Sequence, residues 1–312
     1  MKNKKLIMFF SALLILIFHF WINIFERTST FYNIETFIRQ ICFIGVDIFF
    51  FLSSYSISKR NIENYKEYIF VRFKKVYIPF IIFSLVAMIY FKWDVKTFIL
   101  TISGLNLFIK GGGSFLWFFP AIMIIYILLP LFNKINIKYK SVITIFIWLL
   151  FTVVISLNSS YSQILIFTNR IPIILIGCYL AKNNIINKLN KKNYLFVMLS
   201  LLIVGILLLY NFKNINIIYI QESFYLTAIP LTLGLILLLD LIPVNKITNL
   251  LGTVTLEMYG IQMIFGYKLE TIIYSLIGNA LLTNILTIVV MILISLIINF
   301  LVNLLSKEMS VK

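Results

Sequence analysis

Histidine is almost missing from this chain: His19 stands alone among 312 residues. That excludes a His-rich metal centre or an HExxH site, which need several imidazoles at fixed spacing. Cysteine is scarce too. Cys42 and Cys178 both lie in apolar stretches and no CxxC occurs, so they read as small packing residues and leave the redox compartment open. No GxxxxGK[ST] loop and no GxGxxG loop is present, and the "GGG" at 111–113 is a lone flexible loop. Charge is thin as well: charged residues make up 12% of the chain, where a soluble domain has about a quarter.

What is there is apolar. Hydrophobic residues reach 61%, and several runs attain the roughly 20 residues needed to cross a bilayer. The expectation is an all-α, polytopic membrane helix bundle forming a single domain over 1–312. Ten spans are placed at 6–25, 41–58, 72–91, 115–132, 141–157, 164–181, 193–210, 223–242, 251–272 and 280–305. The leading "MKNKK" and its apolar run lack a small-x-small cleavage site before Glu26, so the first run reads as an uncleaved span. The apolar stretch 95–109 is short, carries Ser103, Gly104 and Asn106, and reads as a re-entrant or interfacial piece. Pro79, Pro120, Pro130, Pro172 and Pro230 fall within spans, as kinks tolerated in a bundle or as breaks around a cavity.

The net charge is +16. In a soluble protein that excess would point to nucleic acid. Here it falls in short clusters between apolar runs. With the N-terminus inside, the inner segments hold 19 of the 27 Lys and Arg residues and the outer segments seven. This is the positive-inside pattern, with both termini in the cytoplasm.

Ionisable residues within spans are costly and mark functional candidates. His19, Asp47 and Glu257 are such residues; Asp240 lies near an inner end. His19 is six residues from the outer end of span 1, and Asp47 six residues into span 2, so both are expected about 9 Å deep at 1.5 Å per residue. A carboxylate beside an imidazole fixes its tautomer and raises its basicity; the alternative is that the two share a level without facing each other. Ser54, seven residues after Asp47, is a conceivable nucleophile, although serines in spans more often bond to backbone. On the inner side, Arg72 and Lys75 are three apart and are expected on one helix face, suited either to a phosphate-rich ligand or to anionic lipid.

These residues, taken in chain order, resemble the bacterial acyltransferase-3 family of integral-membrane enzymes. The likeness runs from His19 through "GVDIFFFLSSYSISKR", "VRFKKVYIPF", "GGGSFLWFFPAIMIIYILLPLF" and "RIPIILIGCYLAK" to "LGTVTLEMYGIQMIF". Three positions depart from the family pattern. Gln262 stands where many members have histidine. Ser54 replaces the usual glycine. No basic residue occurs in the first half of span 1, where Met8 lies and Lys5 is nearest.

The resemblance implies an O-acyltransferase, transferring groups other than aminoacyl groups, in the bacterial plasma membrane. Its donor would be acetyl-CoA or another acyl-CoA, with the phosphates on Arg72 and Lys75 and the pantetheine arm reaching toward His19. His19 would be general base or transient acyl carrier, held by Asp47, and no metal is needed. Tyr259, Gln262 or Trp117 would line the cavity. The acceptor would be a hydroxyl of a surface or lipid-linked glycan. Partners would be the bilayer, acyl-CoA, the glycan and polysaccharide-synthesis proteins, with no nucleic acid. The chain ends soon after the tenth span, so no appended extracytoplasmic domain is expected. Two other readings stay open: a polysaccharide or small-solute exporter, and a degenerate structural partner in glycan synthesis.

Overall fold

A computed structural model describes residues 1, 3–110, 116–135, 139–156, 164–212 and 221–308. Among these residues the secondary structure is helical throughout, with no strand. That is the outcome expected of an apolar chain whose backbone polar groups must be satisfied within each segment. The helices are α1 Lys4–His19, α2 Thr30–Ile41, α3 Gly45–Ser58, α4 Tyr65–Arg72, α5 Ile78–Phe91, α6 Val95–Ile102, α7 Leu105–Lys110, α8 Phe118–Lys134, α9 Lys140–Ser156, α10 Leu165–Thr168, α11 Ile171–Lys182, α12 Ile185–Lys188, α13 Lys191–Phe212, α14 Gln221–Asp240, α15 Lys246–Leu251, α16 Thr255–Ile277 and α17 Ala280–Glu308. Four continuous segments are long and apolar enough to cross a membrane by length and composition: Thr30–Ser58, Leu165–Lys182, Lys191–Asn211 and Ala280–Leu301. Large apolar side chains on α9, α13 and α17 point outward, Phe146, Phe196 and Phe300 among them, as a lipid-facing rim requires.

α3 is the hub. Eleven of its 14 residues are buried, against α1, α8, α11 and α14. Small residues allow the close approach. A Cβ on Gly45 would lie 2.7 Å from Ile15 Cγ1 of α1, and a Cβ on Gly177 of α11 would collide with the Ser54 hydroxyl. α1 and α3 run antiparallel: Lys4 meets Ser56 at one end, and the Ser11 hydroxyl donates to the Gly45 carbonyl further along. Just before α1 Asn3 is tied to the last residue of α14, its backbone N–H donating to Asp240 Oδ1 at 3.0 Å.

Several sequence expectations change. Span 1 is not helical to residue 25: α1 stops at His19, and Phe20 to Phe25 form a strap. Pro172 sits in the first turn of α11, where a missing N–H costs nothing. Pro79 directly follows a π-helical turn, Phe73–Tyr77, in a helical run unbroken from α4 into α5, so it lies inside that run. Pro130 and Pro230 are inside helices, as expected. The 95–109 stretch is two short helices, α6 capped by the Asp94 carboxylate on Thr97 N at 3.0 Å, with Gly104 at φ 76° making the corner to α7. Residues 111–115, holding the triple glycine, lie outside the described residues.

Candidate functional site

The ends of α1 carry different chemistry. At its N-terminal end, Lys4 Nζ donates to Ser56 Oγ at 2.5 Å. Arg72, the last residue of α4, lies with its guanidinium 5.4 Å from the ring centre of Tyr68 and 5.1 Å from that of Tyr126. Together these groups frame a cavity of about 90 Å³, lined also by Met8, Phe49 and Ser53. Arg72 lines a second, open cleft of about 450 Å³ with Arg60, Asn64 and Tyr68. Burial, then the neighbouring charges of Arg60 and Arg72, pull the Lys4 ammonium down to about 8. Among the described residues neither Lys4 nor Arg72 forms an ion pair. Half-buried cations without carboxylate partners suit an anionic ligand.

Lys75 does not share this site. Residues Phe73 to Tyr77 form a π-helical turn, whose wider i→i+5 winding prevents three residues from closing one turn. Lys75 is therefore exposed and lines neither cavity. Lys4 takes the second cationic place. Sequence reading missed it because it precedes the apolar run and looked like a topology charge.

At the C-terminal end of α1 His19 is the last helical residue and is exposed. Its ring lies edge-on to Phe18 at 5.1 Å and tilted to Phe20 at 5.8 Å. Phe20 packs on Gly266 of α16, and Ile22 exchanges backbone bonds with the Asn284 side chain of α17 at 3.0 and 2.8 Å. α2 clasps the rest of the strap. Glu35 accepts from the Trp21 indole and the Ile24 backbone N–H, both at 2.8 Å, and Arg39 donates to Asn23 Oδ1 at 3.1 Å.

The expected pairing of Asp47 with His19 is not what the structure has. Gly45 lies level with the Ser11–Ile15 turn of α1. His19 is four to eight residues above that turn and Asp47 two below, a gap of about 9–15 Å at helical rise. The depth estimate failed because the outer six residues of the predicted first span are not helical and α2 adds length to the second. Asp47 is instead buried against Arg170, with Arg170 Nε 3.6 Å from Asp47 Oδ1, and Arg170 stacks on Trp117 at 5.1 Å. Asp47 is thus the anchor of a buried ion pair joining α3 to the start of α11.

The other polar candidates are mostly structural. The Ser54 hydroxyl donates to Phe51 O at 2.9 Å and is fully buried. Glu257, in the first turn of α16, accepts from Asn299 of α17 at 2.9 Å. Gln262 is buried with neither amide atom bonded among the described residues. The inner cavity reaches Met8 and Phe49, still about 16 Å below His19 along α1.

With this geometry in hand, comparison with known proteins gives one match. The acyltransferase-3 family, described as an acyltransferase domain, matches residues 6–304. The chain belongs to that family, and it is an acyltransferase of the membrane. No curated protein and no solved structure matches it.

Proposed function

We propose that this protein moves an acyl group, acetyl in the simplest case, from cytoplasmic acyl-CoA to a hydroxyl of a surface or lipid-linked glycan. In this reading it spans a bacterial plasma membrane about ten times, with both termini in the cytoplasm. One observation carries the reading: Lys4 and Arg72 frame a cavity at the inner end of the same helix whose outer end presents His19. Fifteen residues separate Lys4 from His19, about 22 Å at helical rise, so α1 joins a cytoplasmic anion site to an outer base.

His19 acts as general base. It takes the proton of the acceptor hydroxyl as that oxygen attacks the thioester carbonyl, and the thiolate of CoA leaves and is protonated in turn. The ester bond forms as the thioester bond breaks. Lys4 and Arg72 hold the donor phosphates. Passage from the inner cavity to His19 requires side chains above Met8 and Phe49 to move, so donor binding is the step that opens the route. Asp47 and Arg170 keep α3 and α11 in register beside it.

The test uses the full chain in proteoliposomes with labelled acetyl-CoA inside and envelope glycan outside. Label enters the glycan with the wild-type protein and not with His19→Ala. Undiminished incorporation by a folded His19→Ala protein removes His19 from the chemistry.

A further inference from the structure

The strap after His19 encloses space that the reaction above does not use. Trp21, Asn23, Phe25, Arg27, Tyr32 and Arg39 are among the residues lining an open cleft of about 550 Å³, within the size range of small-molecule sites. Its lining combines two chemistries. Trp21, Phe25 and Tyr32 supply aromatic faces, on which the apolar face of a pyranose ring packs. Asn23, Glu26, Arg27 and Arg39 supply donors and acceptors for hydroxyls. Among the lining side chains two guanidinium groups stand against one carboxylate, Glu26; the Glu35 carboxylate behind the wall is engaged by the Trp21 indole and the strap N–H groups, and the Arg fork matches a carboxylate or phosphate.

The wall is built rather than incidental. Glu35 fixes Trp21 and the backbone of Ile24, and the same Arg39 that lines the cleft holds Asn23 through its NH1. Arg39 NH1 also donates to Trp21 O at 3.3 Å. Its other guanidinium nitrogens make no hydrogen bond among the described residues, and its charge also acts on the Glu270 carboxylate of α16. The first lining residue, Trp21, is two residues beyond His19, so the cleft adjoins the end of α1.

We infer that the cleft formed by the strap and α2 is the acceptor subsite, and that it selects a sugar bearing an anionic group, carboxylate or phosphate. This rests on the acyltransferase reading only for the name "acceptor"; the binding itself stands on the cleft.

The experiment uses the full chain in nanodiscs and follows tryptophan fluorescence. The probes are methyl glucuronoside, glucose 1-phosphate and neutral methyl glucoside, with acetyl-CoA binding measured in parallel. Saturable quenching by an anionic probe, weakened by salt, is expected, with methyl glucoside at least about tenfold weaker for want of a charge-assisted hydrogen bond. Which anionic probe binds tells carboxylate from phosphate. Arg27→Gln should erase the preference for anionic over neutral sugar, while Trp21→Phe should erase the signal. Arg27 is exposed and has no packing role to lose.

Equal affinity for all three probes overturns the anionic selection. Quenching that survives both Arg27→Gln and Trp21→Phe, or no saturable response from any probe, overturns the site. If the anionic probe binds and acetyl-CoA does not, the subsite holds and the acetyl-CoA donor reading above fails instead.

Discussion

Two arginines of this protein, Arg170 and Arg72, are spent in opposite ways. Arg170 is buried and committed, its charge neutralised by Asp47 3.6 Å away. Arg72 is half-buried and stacked between Tyr68 and Tyr126, with no carboxylate partner among the described residues. Removing a cation from water is costly, so a committed pair reads as structure and an uncommitted, stacked cation reads as a place held for a diffusible anion. The same contrast separates the ends of α1. The N-terminal end gathers Lys4 and Arg72 with no ion-paired carboxylate among the described residues, whereas the C-terminal end offers an exposed imidazole beside a clasped strap. Under the proposed function donor capture and proton transfer fall to different ends, and substitutions should divide along the same line.

The largest effect is expected at the outer end. His19→Ala should lower acyl transfer by about 10²–10⁴-fold, the range for a positioned general base. Acetyl-CoA affinity should stay within twofold, roughly the reproducibility of such a titration. A variant that loses donor binding together with rate would erase the division between the ends.

Next comes the committed pair. Arg170→Ala leaves Asp47 buried and uncompensated, and breaking one partner of a buried pair costs about 3–5 kcal/mol. Thermal unfolding in detergent should drop sharply. Asp47→Ala combined with Arg170→Ala should recover part of that loss, because no orphaned charge remains. If Arg170→Ala keeps its stability but loses transfer, the pair belongs to the chemistry and the contrast with Arg72 is wrong.

How much of this was legible beforehand differs by residue type. Helical class followed from apolar runs of bilayer length, and His19 and Arg72 could be singled out by motif and by depth. Three features could not. The strap from Phe20 to Phe25 is as apolar as a helix, so nothing in composition announced that α1 stops at His19; the Asp47 misplacement followed from that. The π-helical turn that throws Lys75 outward has no composition signature, since "FKKVY" is unremarkable as α-helix. Lys4 and Arg170 sit at span ends, where a lone cation is the expected topology mark, and only the packing of α1 on α3 and of α3 on α11 gives each its partner. Glu35 and Arg39 were passed over for the same reason: an i, i+4 pair on a surface helix is ordinary until the strap beneath it is seen.

A smaller effect separates the two basic residues that the sequence pairs. Arg72→Ala removes a charge-assisted contact to donor phosphate, worth about 1.5–3 kcal/mol, and should raise the acetyl-CoA dissociation constant at least about tenfold while flattening its salt dependence. Lys75→Ala should change it by less than about twofold, as exposed single charges do. Isothermal titration of both variants at two ionic strengths decides the matter. Equal losses would return Lys75 to the site.

The smallest effect is graded with pH and comes from Lys4. Its ammonium is held near 8, below the ordinary lysine value, by burial and then by Arg60 and Arg72. A lowered value means the folded state releases this proton before the unfolded chain does. Stability of the donor-free protein should therefore rise with pH between about 8 and the ordinary lysine value near 10.4. Donor affinity has the opposite slope. As pH climbs through 8 the inner cavity loses one positive charge, so acetyl-CoA, whose thiol is blocked and whose phosphates are fully ionised by then, should bind more weakly. Bound phosphate favours the charged ammonium and shifts the fall to higher pH. Lys4→Arg carries a charge that does not titrate in this range, and its affinity should stay level from pH 7 to 9.5. A wild-type profile equally level over that interval would mean that Lys4 points its charge elsewhere and that Arg72 holds the donor without it.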